Sequence, residues 1–271
     1  MARNQIITGI DLGTDKCATV IAQLDPETHG ITIAGVSVVN TRGMRRSQIV
    51  NLEQVIDSVS ESLDGAERMA GVTVHEAYVS LSGSHISSRN SKGVVAVSSP
   101  SQEITPTDVQ RVIEAAQAVS LPPEKEILHV IPRDFTIDSQ SGIKDPVGMT
   151  GIRLEAETHI VSGMSTAIRN IGKSIRDLDV EVQGFVFSGL AAAQVTLTET
   201  EKELGVVLVD IGAGTTSYCA YVDGSLALSG ALPVGARHIT QDIALGSRIS
   251  LKAAEQVKLM LSENDPASIK P

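Results

Sequence analysis

Two aspartates stand in the same local setting. Asp11 lies in Ile10-Asp11-Leu12-Gly13-Thr14, and Asp210 in Val209-Asp210-Ile211-Gly212-Ala213-Gly214-Thr215. Each follows an apolar run and precedes glycine and threonine. Glycine lets a backbone turn sharply and come close to a ligand. Successive amides in such a turn form a nest for anions, and Thr14 and Thr215 add hydroxyl donors. A carboxylate repels phosphate, yet it can hold Mg²⁺ through water, because Mg²⁺ keeps much of its hydration shell. Lys16 offers the phosphates a point charge. Two facing turns, each with one aspartate, would grip a magnesium nucleotide from opposite sides. One Asp-x-Gly turn is commonly structural. Two in matching contexts are a stronger signal.

Those turns need strands on both sides. Apolar runs at 6–11, 17–24 and 31–39 read as three strands around the first turn. The second has the same layout, with strands at 206–209, 217–222 and 226–232 and an Asp223-Gly224 hairpin signal. Repetition of a whole supersecondary unit suggests a duplicated domain. Between the copies, Leu52, Val55, Ile56, Val59 and Leu63 fall at helical spacing behind Asn51 as N-cap. A strand is expected at 77–81. Thr105-Pro106 opens a second helix, with short strands at 127–131 and 135–137. A third helix carries Ile168, Ile171, Ile175 and Leu178. A strand at 182–187 then leads into the small-residue helix start at Ser188. Residues 198–204 (TETEKEL) read as a polar linker. Ser250 caps a last helix with Leu251, Ala254, Val257 and Leu261 on one face, and a polar tail follows.

Composition narrows the classes. The 271 residues suggest about two domains. Apolar residues make up 42% and charged residues 20%, enough for a packed core and too apolar for disorder. Six aromatics and no Trp leave no base-stacking platform, and a net charge of −10 repels phosphate backbones, so nucleic acid is not the expected partner. Cys17 and Cys219 make no CxxC motif and read as small buried apolar residues in a reducing compartment. The six histidines show no metal-binding spacing. The N-terminus lacks a secretory pattern, and no stretch reaches 18 apolar residues.

The paired turns resemble the phosphate loops of the actin-like ATPase superfamily. Within it, GIDLGTDK (9–16), TRGMRRSQIVNLE (41–53), SLSGSHISSRNSKGVV (80–95), HVIPRDFTID (129–138), GIKDPVGMTGIRLEAETHIV (142–161) and LVDIGAGTT (208–216) resemble the bacterial cell-division family FtsA. That resemblance implies an α/β fold of two ribonuclease-H-like domains with a small α/β insert. Residues 1–83 and 161–197 would form the first domain, 84–160 the insert, 198–204 a linker and 205–271 the start of an incomplete second domain. It further implies that Gly13, Thr14, Asp15 and Lys16 cradle the phosphates of ATP with Gly212, Ala213, Gly214 and Thr215. Asp11 and Asp210 would hold hydrated Mg²⁺, and Glu255 and Lys258 would meet ribose and adenine. The implied partners are the FtsZ C-terminal peptide, further copies through the insert, other divisome proteins, and the membrane through a C-terminal helix. The implied location is the cytoplasmic face of the inner membrane. Arg42, Arg45 and Arg46 would face solvent, as a solvated loop, or else contact an acidic partner or lipid.

Two departures from the family pattern stand out. Chaperone-type relatives place a glutamate where Ser188 stands, before an alanine run, and a hydroxyl orients water poorly. Slow or absent turnover is therefore expected. Only 61 residues follow Asp210, about half of one repeat, so the chain is expected to be a fragment without the adenosine loop, most of the FtsZ-docking region and the membrane helix. Two other readings are a peptide-binding module like the pilus-assembly protein PilM and a sugar-kinase-type phosphotransferase.

Overall fold

A computed structural model of the protein describes residues 5–28, 30–118 and 121–263. The tail from residue 264 and residue 29 of the second turn lie outside them. The chain opens with an antiparallel meander, β1 (Gln5–Leu12), β2 (Lys16–Leu24) and β3 (Ile31–Asn40). A small hairpin follows, β4 (Met44–Arg45) with β5 (Gln48–Ile49). Helix α1 (Leu52–Ala70) starts at the predicted cap, where the Asn51 side chain accepts from the Gln54 amide at 3.1 Å. That bond satisfies an amide the helix cannot. Next comes β6 (Glu76–Leu81), which runs parallel to β1.

From β6 the chain leaves this sheet to build another. Strands β7 (Ser87–Ala96), β8 (Lys125–Ile137), β9 (Gln140–Ile143) and β10 (Arg153–Met164) pair antiparallel in the order β7-β10-β8-β9. Helix α2 (Pro106–Gln117) covers them, held by a capping box between Thr105 and Asp108. Its Val112 packs with Ile104, Phe135, Leu154 and Ala156 in a core of its own. The two short strands expected around Pro132 are one strand. Proline is tolerated there because it sits beside a register shift, and β9 pairs only with Phe135 and Ile137. Strand β10 continues to Met164, past the expected boundary at 160.

The chain then re-enters the first sheet. Helix α3 (Ser165–Arg176) leads to β11 (Glu181–Phe187), parallel to β6, and the sheet reads β11-β6-β1-β2-β3. Both α1 and α3 lie on one face of it, where Val55, Val59, Ile168, Ile171 and Ile175 meet Ile10, Ile21, Val79 and Leu81.

Helix α4 (Ser188–Thr196) crosses to the second lobe. The expected linker at 198–204 is instead a helix, α5 (Glu199–Leu204), because Thr198 and Glu201 form a capping box that its polar composition conceals. Strands β12 (Val206–Ile211), β13 (Thr216–Val222) and β14 (Ser225–Leu232) repeat the opening meander. Asp223 and Gly224 both take positive φ, as a two-residue hairpin turn requires. Phe187, Cys219, Tyr221 and Leu226 form the core beneath α4. Cys17 and Cys219 are both buried and unpaired, and burial pushes each thiol up to about 12.

Two helices close the described chain, α6 (Ala236–Ser247) and α7 (Leu251–Glu263). The sequence pattern misses α6, whose polar residues mask a narrow stripe. Of the apolar face expected on α7, only Ala254 is buried; Leu251, Val257 and Leu261 are exposed.

Candidate functional site

The two aspartate turns close alike. Gly13 donates its amide to the Lys16 carbonyl at 2.9 Å, and Gly212 to the Thr215 carbonyl at 2.9 Å. Asp11 sits opposite Ala18 and Asp210 opposite Ser217, so one constant offset relates the hairpins. That offset matches Thr215 with Lys16 and Thr14 with Ala213. The two threonines are therefore not counterparts. Both are buried, and their hydroxyls meet Ser47: its amide donates to Thr14 Oγ1 at 2.9 Å, and its Oγ is 3.0 Å from Thr215 Oγ1.

Both hairpins line one cavity of about 760 Å³, which falls in the range of small-molecule sites. Asp11, Gly13, Thr14, Asp15 and Lys16 border it from the first lobe. Asp210, Gly212, Ala213 and Thr215 border it from the second, and Glu255 and Lys258 stand at its rim. Gly214 is the exception among the expected residues, packed back against Thr14 and Arg46. Burial first, and the Asp11 carboxylate second, push the Asp210 acid above the ordinary carboxylate range. The Asp210 acid thus senses the Asp11 charge across the cleft. The Ser80 hydroxyl donates to Asp11.

That donor set fits a hydrated divalent cation. A cation relieves the repulsion between the acids, and hard carboxylate oxygens suit Mg²⁺. Among the described residues no cluster of three or more His, Cys, Asp or Glu could hold a metal. A cation bound here would have two protein carboxylates, Asp11 and Asp210, and would take its other ligands from water.

Residues that the sequence pattern missed complete the walls. Helix α6 begins against the second hairpin, with the Ala236 amide on the Gly212 carbonyl and the Arg237 amide on the Ala213 carbonyl, both at 2.9 Å. Arg237 reaches across to Asp15 at 2.7 Å and ties α6 to the first hairpin. Thr240 donates to Glu255 Oε2 at 2.6 Å, and Lys258 pairs with Glu255 at 2.7 Å. Those bonds hold the Glu255 acid below its usual range. Gly235 ahead of a helical run was the available sign of α6. Only proximity in space reveals Ser47, Ser80 and Ser82. Ser188 opens α4 on the cavity wall, 3.3 Å from the Ser217 hydroxyl. Arg42 pairs with Glu61 at 3.5 Å, and Arg45 and Arg46 are exposed.

Fold and cleft together define the actin-like ATPase fold. The PilM–PilN type IV pilus biogenesis complex matches with a TM-score of 0.66 at 16% identity, over 93% of this chain and 68% of that one. The ethanolamine utilization protein EutJ from Carboxydothermus hydrogenoformans matches with a TM-score of 0.53 at 16% identity, over 95% and 62%. At such identity these likenesses bear on fold alone.

Sequence comparison narrows the class. The family model described as the SHS2 domain inserted in FtsA matches residues 83–162, and the cell division protein FtsA model matches residues 207–270. FtsA of Borreliella burgdorferi is 40% identical over 259 residues, covering 96% of this chain and 62% of the relative. FtsA of Pseudomonas aeruginosa is 37% identical over 255 residues, covering 94% and 60%. FtsA of Bacillus subtilis is 36% identical over 261 residues, covering 96% and 59%. The chain belongs to the FtsA family of bacterial cell-division proteins. It spans about 60% of the length of these relatives.

Proposed function

We propose that the cleft binds Mg-ATP, and that the complete protein is a nucleotide-dependent, filament-forming adaptor that joins the FtsZ ring to the inner membrane. One observation carries the nucleotide reading. Two hairpins closed by the same hydrogen bond, each with an aspartate, border a single cavity from opposite lobes. Asp11 and Asp210 would hold the hydrated cation, which supplies charge neutralisation for the phosphates. Exposed amides of both turns and Lys16 would receive phosphate oxygens. Glu255 and Lys258 at the rim would face the nucleoside. Ser188 at the start of α4 gives no strong base for orienting water, so the reading includes slow turnover. The family relationship supports the adaptor role, with residues 84–160 as the insert through which copies and divisome partners meet. No helix among the described residues is long and apolar enough to cross a membrane. In this reading membrane contact belongs to a C-terminal amphipathic helix of the complete protein, which the family relationship suggests.

A thermal shift with Mg-ATP on the complete protein tests the site. A ligand at about 100 times its dissociation constant adds roughly 2.7 kcal/mol of stability. Asp11→Ala and Asp210→Ala should each remove most of that shift. A wild-type protein that ignores Mg-ATP contradicts the site, and one that binds it without bringing FtsZ to lipid vesicles contradicts the adaptor role.

A further inference from the structure

The tip of the β4–β5 hairpin has no role in the reading above. Its two central residues, Arg46 and Ser47, have φ of 49° and 57°. Consecutive left-handed residues make a type I′ turn, a place that usually belongs to Asn and Gly. Arginine and serine are strained there. Ser47 is also 4% exposed, unusual for a polar residue at the tip of a turn. Something in the fold must favour this conformation and this burial.

The contacts supply it. The Ser47 amide donates to Thr14 Oγ1 at 2.9 Å, and Ser47 Oγ lies 3.4 Å from that atom. The same Oγ is 3.0 Å from Thr215 Oγ1. Thr14 belongs to the first aspartate turn and Thr215 to the second, so one serine spans both lobes at the floor of the cavity. The neighbouring backbone reinforces the contact. A Cβ on Gly214 would stand 2.8 Å from Thr14 Oγ1 and 3.0 Å from the Arg46 Cα. The turn is therefore seated between the two hairpins with no spare space.

We propose that Ser47 is a positioning residue that ties the two hairpins together and sets the spacing at which they meet the ligand. Its hydroxyl makes the link to the second hairpin, either donating to Thr215 Oγ1 or accepting from it. Its amide and the strained turn hold it in place. The tie itself needs no ligand, while its consequence for affinity rests on the nucleotide reading.

Ser47→Gly separates the tie from the turn, because glycine favours this φ and keeps the amide bond to Thr14 while losing the hydroxyl. The complete protein is measured in three ways. Without nucleotide, amide hydrogen exchange at residues 12–15 and 212–215 should speed up in Ser47→Gly. The Mg-ATP dissociation constant should rise about two- to tenfold, as for one lost hydrogen bond, with the Asp15–Arg237 pair limiting the loss. The urea midpoint should not fall. Ser47→Ala should reproduce the exchange and affinity changes but with a lower midpoint, since alanine is strained at this φ. Unchanged exchange in both hairpins overturns the proposal. If wild type binds Mg-ATP while Ser47→Gly leaves exchange and affinity unaltered, the tie fails and the nucleotide reading stands. If wild type binds no nucleotide but Ser47→Gly loosens both hairpins, the tie stands and the nucleotide reading fails.

Discussion

Gly235→Ala isolates the contact between helix α6 and the second aspartate hairpin. The backbone at Gly235 is extended, with φ −157° and ψ −173°, so alanine meets no conformational obstacle there. Its Cβ would, however, lie 2.5 Å from the Gly212 carbonyl oxygen and 2.8 Å from the Ala213 carbonyl carbon. Both neighbours are backbone and cannot rotate away. An ordinary contact of 3.4 Å requires α6 to withdraw by about 0.9 Å. The bonds from Ala236 to Gly212 and from Arg237 to Ala213, now 2.9 Å each, would stretch to about 3.8 Å and be lost. Two backbone hydrogen bonds at about 0.5–1.5 kcal/mol each give a loss of about 1–3 kcal/mol. Gly246 in the same helix is the control. A Cβ there meets nothing within 4 Å. Gly246→Ala should therefore stabilise by up to about 1 kcal/mol through helix propensity alone. Urea unfolding of both variants, with amide exchange at Ala236 and Arg237, reads the two effects. A Gly235→Ala protein with wild-type stability and protected amides at 236 and 237 would refute the close-approach argument.

Other expectations concern charge. The raised Asp210 acid means that the folded protein binds more protons than the unfolded chain above the ordinary aspartate value of 3.8. Stability therefore falls as pH rises through that window. Asp210→Asn should raise the melting temperature of the ligand-free protein at neutral pH while removing Mg-ATP binding, and a lower melting temperature would count against a destabilising acid in the cleft. His159 links the second sheet to β14, with Nδ1 2.7 Å from Asn90 Oδ1 and Nε2 2.8 Å from Ser229 Oγ. Burial, aided by Arg133, pushes this imidazole down to about 4. The unfolded chain takes up a proton first, so stability should be lost as pH falls from 6.5 towards 4. His159→Gln should flatten that part of a pH–stability curve, and an unchanged slope would show that other groups control it.

Local rules carried much of the architecture. The Asn51 cap, the Thr105-Pro106 helix start and the Asp223-Gly224 turn formed where their residue types direct, because each rests on bonds within a few residues. The two aspartate turns were legible for the same reason, and their repetition pointed to two lobes around a cleft. Where the pattern misled, a short-range rule was outweighed or overlooked. Thr198 and Glu201 made a helix of a polar stretch. The β10 partner and a register shift let one strand run through Pro132.

Burial on α7 also escaped the pattern, since spacing marks an apolar face but not whether another element covers it. The meeting of residues far apart in the chain escaped it altogether. Ser47 and Thr215 are 168 positions apart, Asp15 and Arg237 are 222, and nothing in either local sequence encodes the other. The amino-acid order determined where the two aspartate turns form, because glycine, aspartate and strand propensity act locally. Only the packing of two sheets through α4 and the β4–β5 tip decided that those turns face each other, and which hydroxyls, acids and bases share the space between them.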